Sequence, residues 1–143
     1  MEIGAPFMEF HEMRVLVTGG TRGVGRATVE EFLKAGARVA VNGSTPASVE
    51  NTLAHLGPSE KLIPAPGDIG TIDGCRQAVA AAASALGGID ILVNNAGINR
   101  DGPLLEMSED DWDRVLDVNL KGPMLLTQLA AKIMKRDHGR IMR

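Results

Sequence analysis

Apolar positions along this chain follow two alternating rhythms. Four short runs rich in branched residues, Arg14-Val15-Leu16-Val17-Thr18, Arg38-Val39-Ala40-Val41-Asn42, Lys61 to Ala65 and Ile89 to Val93, read as strands. Between them, apolar residues recur three and four positions apart, as on one face of a helix. A first helix is predicted from about Val24 to Ala35, with Ala27, Val29, Phe32 and Leu33 turned inward and Gly36 as its stop. Thr45-Pro46 supplies an N-cap and a first-turn proline for a second helix, whose Val49, Leu53 and Leu56 share a face. Alanine dominates a third helix over Thr71 to Leu86. Ser108-Glu109-Asp110-Asp111 has capping-box spacing ahead of Trp112, Val115 and Leu116, and a long helix continues from there towards Lys135. Gly139-Arg140-Ile141-Met142 reads as the opening of a fifth strand.

Strands separated by helices predict an α/β fold with a parallel sheet. The fourth run is almost continuously apolar, as a strand covered on both faces should be. Pro64 and Pro66 place the third near an edge, because proline gives no N–H to a ladder. Right-handed crossovers in the usual doubly wound arrangement predict the order 3-2-1-4, with a stub of strand 5 beside strand 4. One domain over residues 13–143 is expected, preceded by a leader or tail over residues 1–12.

Composition narrows the function classes. The chain has 143 residues, 44% hydrophobic and 23% charged, with a net charge of −3. That charge gives no broad positive field for nucleic acid or anionic lipid. No apolar run reaches the ~20 residues needed to cross a bilayer. The first twelve residues hold three glutamates and no lysine or arginine, unlike a secretory signal. One cysteine, Cys75, excludes an internal disulfide and fits a reducing cytoplasm, with burial on a helix face its expected role. His11, His55 and His138 lie far apart, so no metal site is expected.

The chemistry-bearing motif is Thr18-Gly19-Gly20-Thr21-Arg22-Gly23-Val24-Gly25, between the first strand and the first helix. Glycine permits a tight turn and lets backbone approach a pyrophosphate, while the helix start beyond offers unpaired N–H groups and partial positive charge. A dinucleotide site is the expectation. An NAD site usually carries an acidic residue about 20 positions past that turn, to hold the ribose 2′-hydroxyl. Here Val41-Asn42-Gly43-Ser44-Thr45 has no carboxylate before Glu50. A 2′-phosphate would meet no repulsion, could accept hydrogen bonds from Asn42, Ser44 and Thr45, and could pair with Arg22. NADP(H) is therefore expected, with NAD(H) second.

The Gly-x-x-x-Gly-x-Gly spacing resembles the Thr-Gly-x-x-x-Gly-x-Gly of the short-chain dehydrogenase/reductase family. Three more stretches match that family in order and separation: Asp68 at the end of the third strand, Asn94-Asn95-Ala96-Gly97 after the fourth, and Asn119 within Val118-Asn119-Leu120-Lys121-Gly122. The resemblance runs from Arg14 almost to the end. Asn99-Arg100-Asp101-Gly102-Pro103-Leu104-Leu105 is most similar to the 3-oxoacyl-carrier-protein reductase branch. The resemblance implies a Rossmann-like fold, truncated relative to the family, and hydride transfer between NADP(H) and a small carbonyl or alcohol. It implies that Thr18, Gly19, Thr21, Arg22, Gly23, Val24 and Gly25 hold the phosphates, that Asp68 with Ile69 meets the adenine, and that Asn94, Asn95, Ala96 and Gly97 face the ribose and nicotinamide. Asn119 would serve in a proton relay, its carbonyl holding a water. Pro123 lies where the Asn119 carbonyl's usual i+4 donor would be, and so frees that carbonyl.

The family's acid/base is a tyrosine whose proton is made labile by a lysine four residues on, with a serine orienting the carbonyl. This chain contains no tyrosine. Lys121, Lys132 and Lys135 precede the point where that lysine would fall, and His138 sits at the far end of the helix. The expectation is a cofactor-binding portion without turnover of its own, stable as a homo-oligomer or with the remainder of the fold supplied. The alternative is a non-catalytic nucleotide-binding or assembly module. A methyltransferase falls behind both, since it normally needs an acidic residue after the second strand.

Overall fold

The computed structural model describes residues 10–137, so the fifth strand over 139–142, His138 and residues 1–9 lie outside it. Four parallel strands form one sheet: β1 (Arg14–Val17), β2 (Arg38–Val41), β3 (Leu62–Pro64) and β4 (Ile91–Val93). Their order is β3-β2-β1-β4, as the alternation predicts. In register, Val15 stands between Val39 and Ile91, and Val17 between Val41 and Val93. β3 pairs only with β2 among the described strands, which suits its Pro64.

Helices cover both faces. α1 (Gly23–Lys34) and α2 (Pro46–Leu56) pack on one side, where Val15, Val17, Val29, Val39 and Val41 are fully buried. α3 (Ile72–Leu86), α4 (Glu109–Leu116) and α5 (Gly122–Asp137) follow β3 and β4. The core of the second face joins α3 and α5 through Cys75, Ala78, Val79, Ala82, Leu126, Ala130 and Met134. Cys75 takes the buried place expected of it, its thiol donating to the Ile69 carbonyl at 3.3 Å, and burial pushes that thiol up. At the amino ends of the strands, opposite the carboxyl edge, the Arg14 fork grips Asp90 at 2.6 and 2.9 Å and locks β1 to β4.

Three local expectations are revised. Residues 10–12 belong to the fold: Phe10 stacks edge-on against Phe32 at 5.1 Å, and the Glu12 N–H donates to the Gly36 carbonyl. Ala27 is exposed, and Gly25 is buried in its place, because the inner face of α1 is set by close approach to the β1 turn. The long helix after Ser108 is interrupted: a π-helical turn over Asp117–Lys121 separates α4 from α5, and the Gly122 N–H reaches five residues back to the Asp117 carbonyl. Pro123 explains the extra residue, since it has no N–H with which to continue the ladder. A short 3₁₀ turn at Leu104–Glu106 precedes α4.

Candidate nucleotide-binding cleft

A parallel sheet aims its strands' carboxyl ends at one edge, and adjacent strands leading to opposite faces open a crevice there. β1 and β4 make that switch point here. An open cleft of about 530 Å³ lies over it, lined by the β1–α1 turn, the ends of β2 and β3, the segment after β4 and two side chains of the α4–π-turn stretch.

The glycine turn has the geometry its composition implies. Gly19 and Gly23 adopt φ of +62° and +53°, a region costly for any residue with a Cβ. Gly25 has helical backbone and is needed for space: a Cβ there would run into the Gly19 carbonyl oxygen and the Asn95 amide. Beyond the turn, α1 begins at Arg22 with no side-chain cap and no acidic residue in its first turn. α2, α3 and α4 are each capped, by Thr45, Thr71 and Ser108. The α1 terminus therefore faces the cleft with backbone N–H groups that no side chain occupies, a seat for an anion.

Thr18 and Asn95 hold this turn in place. Thr18 is 1% exposed, and its hydroxyl donates to the Val93 carbonyl while accepting the N–H groups of Asn95 and Ala96 at 3.0 and 3.1 Å. The Asn95 amide donates back to the carbonyls of Thr18 and Gly19. Thr18 therefore supports the cleft from beneath, whereas Gly19, Thr21, Arg22, Gly23, Val24 and Gly25 line it.

Asn42 and Thr45, read from the sequence as donors to a 2′-phosphate, have other employment. Asn42 is 2% exposed, and its amide donates to the carbonyls of Ala65 and Gly67 at 2.9 and 3.1 Å while its Oδ1 accepts the Gly19 N–H. It fastens the ends of β1, β2 and β3 together. The Thr45 hydroxyl accepts the Ser48 N–H as the α2 cap. Ser44, exposed, and Ser48 line the cleft beside Arg22, itself exposed and without a carboxylate partner among the described residues.

Asp68 and Ile69 form the cleft wall beyond β3, and α4 contributes a residue that the sequence did not single out. Arg114 Nη2 donates to both Asp68 carboxylate oxygens at 2.9 and 3.0 Å, and the Gly70 N–H donates to Oδ1 at 3.0 Å. Burial pushes the Asp68 carboxyl up, but the Arg114 guanidinium and the Gly70 N–H outweigh it and hold the group below its ordinary range. Arg114 sits among acidic neighbours on an amphipathic helix, and its partner lies 46 positions away. No local signal marks it.

On the far side, Ala96, Gly97 and Ile98 line the cleft, while Asn94 turns away to donate to Thr127. The Asn119 side chain clamps this segment, accepting the Ile98 N–H at 2.8 Å and donating to the Ile98 carbonyl at 2.9 Å. Asn119 thus lies within the π turn, four positions ahead of Pro123. Among the described residues no His, Cys, Asp and Glu cluster could hold a metal ion, and no helix is long and apolar enough to cross a membrane.

Comparison with known proteins agrees with this arrangement. The chain is 41% identical over 130 residues to Nodulation protein G of Rhizobium sp. (strain N33), a match over 90% of this chain and 52% of that protein. A short chain dehydrogenase from Burkholderia cenocepacia J2315, solved in complex with NADP, superposes with a TM-score of 0.78 at 37% identity, over 87% of this chain and 51% of that one. A blue fluorescent protein from a metagenomic library, solved with NADPH, superposes with a TM-score of 0.77 at 34% identity, over 92% of this chain and 54% of that one. The chain spans about half the length of the curated relatives it matches. With residues 13–143 matched by the family model for short chain dehydrogenases, the chain belongs to that family.

Proposed function

We propose that this chain binds NADP(H) in the cleft and forms the cofactor-binding part of an oxidoreductase that moves hydride between that cofactor and a small carbonyl or alcohol. The uncapped start of α1 behind the Gly19–Gly25 turn carries the reading, since it is an anion seat at the switch point of a parallel sheet. When bound, the cofactor supplies the hydride. The chain's own residues position it: the glycine turn takes the pyrophosphate, Arg22 and Ser44 the 2′-phosphate, Asp68 and Ile69 the adenine, and Asn95 to Gly97 the ribose and nicotinamide. Asn119, holding Ile98, keeps that last segment in place, and its carbonyl is suited to a relay water because Pro123 gives it no N–H. The Asn99 to Leu105 stretch supports a 3-oxoacyl substrate. The single buried thiol supports a cytoplasmic location.

Calorimetric titration is expected to show NADPH bound more tightly than NADH. Arg22→Glu should weaken NADPH at least tenfold, because it sets a carboxylate against a phosphate, and leave NADH within about threefold. Equal losses for both, or an unchanged preference, would overturn the assignment of Arg22. The second reading, binding without turnover, is favoured for this chain by itself because it contains no tyrosine. Carbonyl reduction by the purified chain, above that of NADPH alone, would sink it.

We also infer self-association. Trp112, Leu116, Leu120 and Met124, spaced every four residues along α4, the π turn and α5, are 56%, 38%, 67% and 47% exposed, an apolar run that water does not favour. Sedimentation velocity should show a species heavier than the protomer at micromolar concentration. A single protomeric boundary at all loadings would contradict it.

A further inference from the structure

Asn42 is the one asparagine of the chain that is followed by glycine, and the fold needs both residues where they stand. The Asn42 amide donates to the Ala65 and Gly67 carbonyls at 2.9 and 3.1 Å, which ties the end of β2 to the chain beyond β3. A Cβ at Gly43 would stand 2.6 Å from Thr21 Cγ2 and 2.8 Å from Ser48 Oγ, so both neighbours would have to move. Holding the edge together thus calls for asparagine, and packing against the glycine turn and α2 calls for glycine directly after it. Asparagine is a thermolabile residue, and most so before glycine, which has no Cβ to shield its own amide nitrogen.

In the folded chain this link is pinned on both sides. The Asn42 N–H donates to the Val17 carbonyl at 3.0 Å, and the Asn42 carbonyl accepts the Gly20 N–H at 2.8 Å. The Gly43 carbonyl accepts the Gly67 N–H at 2.9 Å. The backbone therefore cannot rotate to bring the Gly43 nitrogen onto Asn42 Cγ while the edge is closed. Once the edge opens, that nitrogen gives up its proton and attacks Cγ, the Cγ–Nδ2 bond breaks, and ammonia leaves with the proton. Water then opens the cyclic imide at one carbonyl or the other, leaving an aspartate or an isoaspartate. We propose that Asn42-Gly43 is a modification site, one that deamidates only when the edge opens and whose products the edge cannot take back. An aspartate only accepts hydrogen bonds, so it faces the Ala65 and Gly67 carbonyls as a buried charge with no donor for either. An isoaspartate lengthens the main chain by one carbon and shifts α2 against the end of β2. Either product removes a clamp beneath the cleft, whatever the cleft binds.

The test is to age the full chain in two samples, one folded and one in guanidinium chloride, and follow both by tryptic digestion and mass spectrometry. Cleavage after Arg38 and Lys61 releases one peptide that holds both Asn42 and Asn51, and Asn51, exposed and followed by Thr52, is its internal control. Conversion at Asn42 should be roughly a hundredfold slower in the folded sample, as for an edge open about 1% of the time or less. In guanidinium chloride Asn42 should convert well ahead of Asn51, and Gly43→Ala should slow it by roughly tenfold, because a Cβ hinders the attacking nitrogen. Neither comparison requires a variant to fold. When the aged folded sample is separated into soluble and aggregated chains, the converted peptide should be enriched roughly tenfold or more in the aggregate, since two buried carbonyls have lost their donor. Equal rates in the two samples would overturn the proposal, as would no conversion at Asn42 in guanidinium chloride. So would converted peptide shared evenly between soluble and aggregated chains, or an Asn42→Asp chain with the urea midpoint of the unaltered one.

Discussion

Gly25→Val is expected to abolish NADP(H) binding, lowering affinity at least a hundredfold, and to destabilise the fold as well. The position has ordinary helical backbone, so the effect comes from space. A side chain there meets the Gly19 carbonyl oxygen and the Asn95 amide, the groups that hold the β1 turn to the segment after β4. Neither can retreat cheaply, since one is backbone and the other is tied to Thr18. Forcing a branched side chain into a packed position costs about 1–3 kcal/mol, and more where backbone must shift. Gly23→Ala is the control. A Cβ at Gly23 meets nothing within 4 Å, so the change costs only the strain of φ +53°, about 1–2 kcal/mol. Its NADPH affinity should stay within about tenfold of the parent. Tight NADPH binding by Gly25→Val would show that the pyrophosphate does not sit at this turn.

Asn42→Leu is expected to cost about 3 kcal/mol or more in unfolding free energy, read as a lower urea midpoint at unchanged slope. Leucine keeps the branch at Cγ and the number of side-chain heavy atoms but has no polar atoms. It strands the Ala65 and Gly67 carbonyls and the Gly19 N–H, which Asn42 now satisfies. Each buried group left unpaired costs about 1–3 kcal/mol. Because the Asn42 amide is already engaged, the ratio of NADPH to NADH affinity should not move. This separates Asn42 from Arg22, where the ratio moves and the urea midpoint does not. A collapsed ratio at unchanged stability would return Asn42 to the 2′-phosphate.

Much of the site was legible because its chemistry is local. The Gly19, Gly23 and Gly25 spacing specifies positive φ and close approach within seven residues, and the structure shows both. Helix starts at Thr45 and Ser108 were legible for the same reason, as a cap reaches only three residues. Pro123 marked a freed carbonyl at Asn119, while the π turn just before it, which splits the helix, was not legible. Ala27 was misplaced because a 3.6-residue period cannot tell which of two neighbouring faces the sheet covers. Gly25, without a side chain, leaves no hydrophobic mark on the true inner face.

The sequence by itself determined the order of strands and helices, the parallel sheet and the turn at which an anion would sit. Each follows from hydrophobic period, crossover handedness or the conformational freedom of glycine, all properties of contiguous residues. Tertiary structure alone decided which polar side chains face the cleft and which are consumed in building it. Thr18 meets residues 75 to 78 positions away, Asn42 meets groups 23 and 25 away, and Asp68 meets Arg114, 46 away. Parallel strands bring their carboxyl ends to one edge, so residues far apart in the chain compete there for the same hydrogen-bond partners. A sequence records which donors and acceptors exist. Only the packed edge decides how they pair, and so whether Asn42 serves the fold or the ligand.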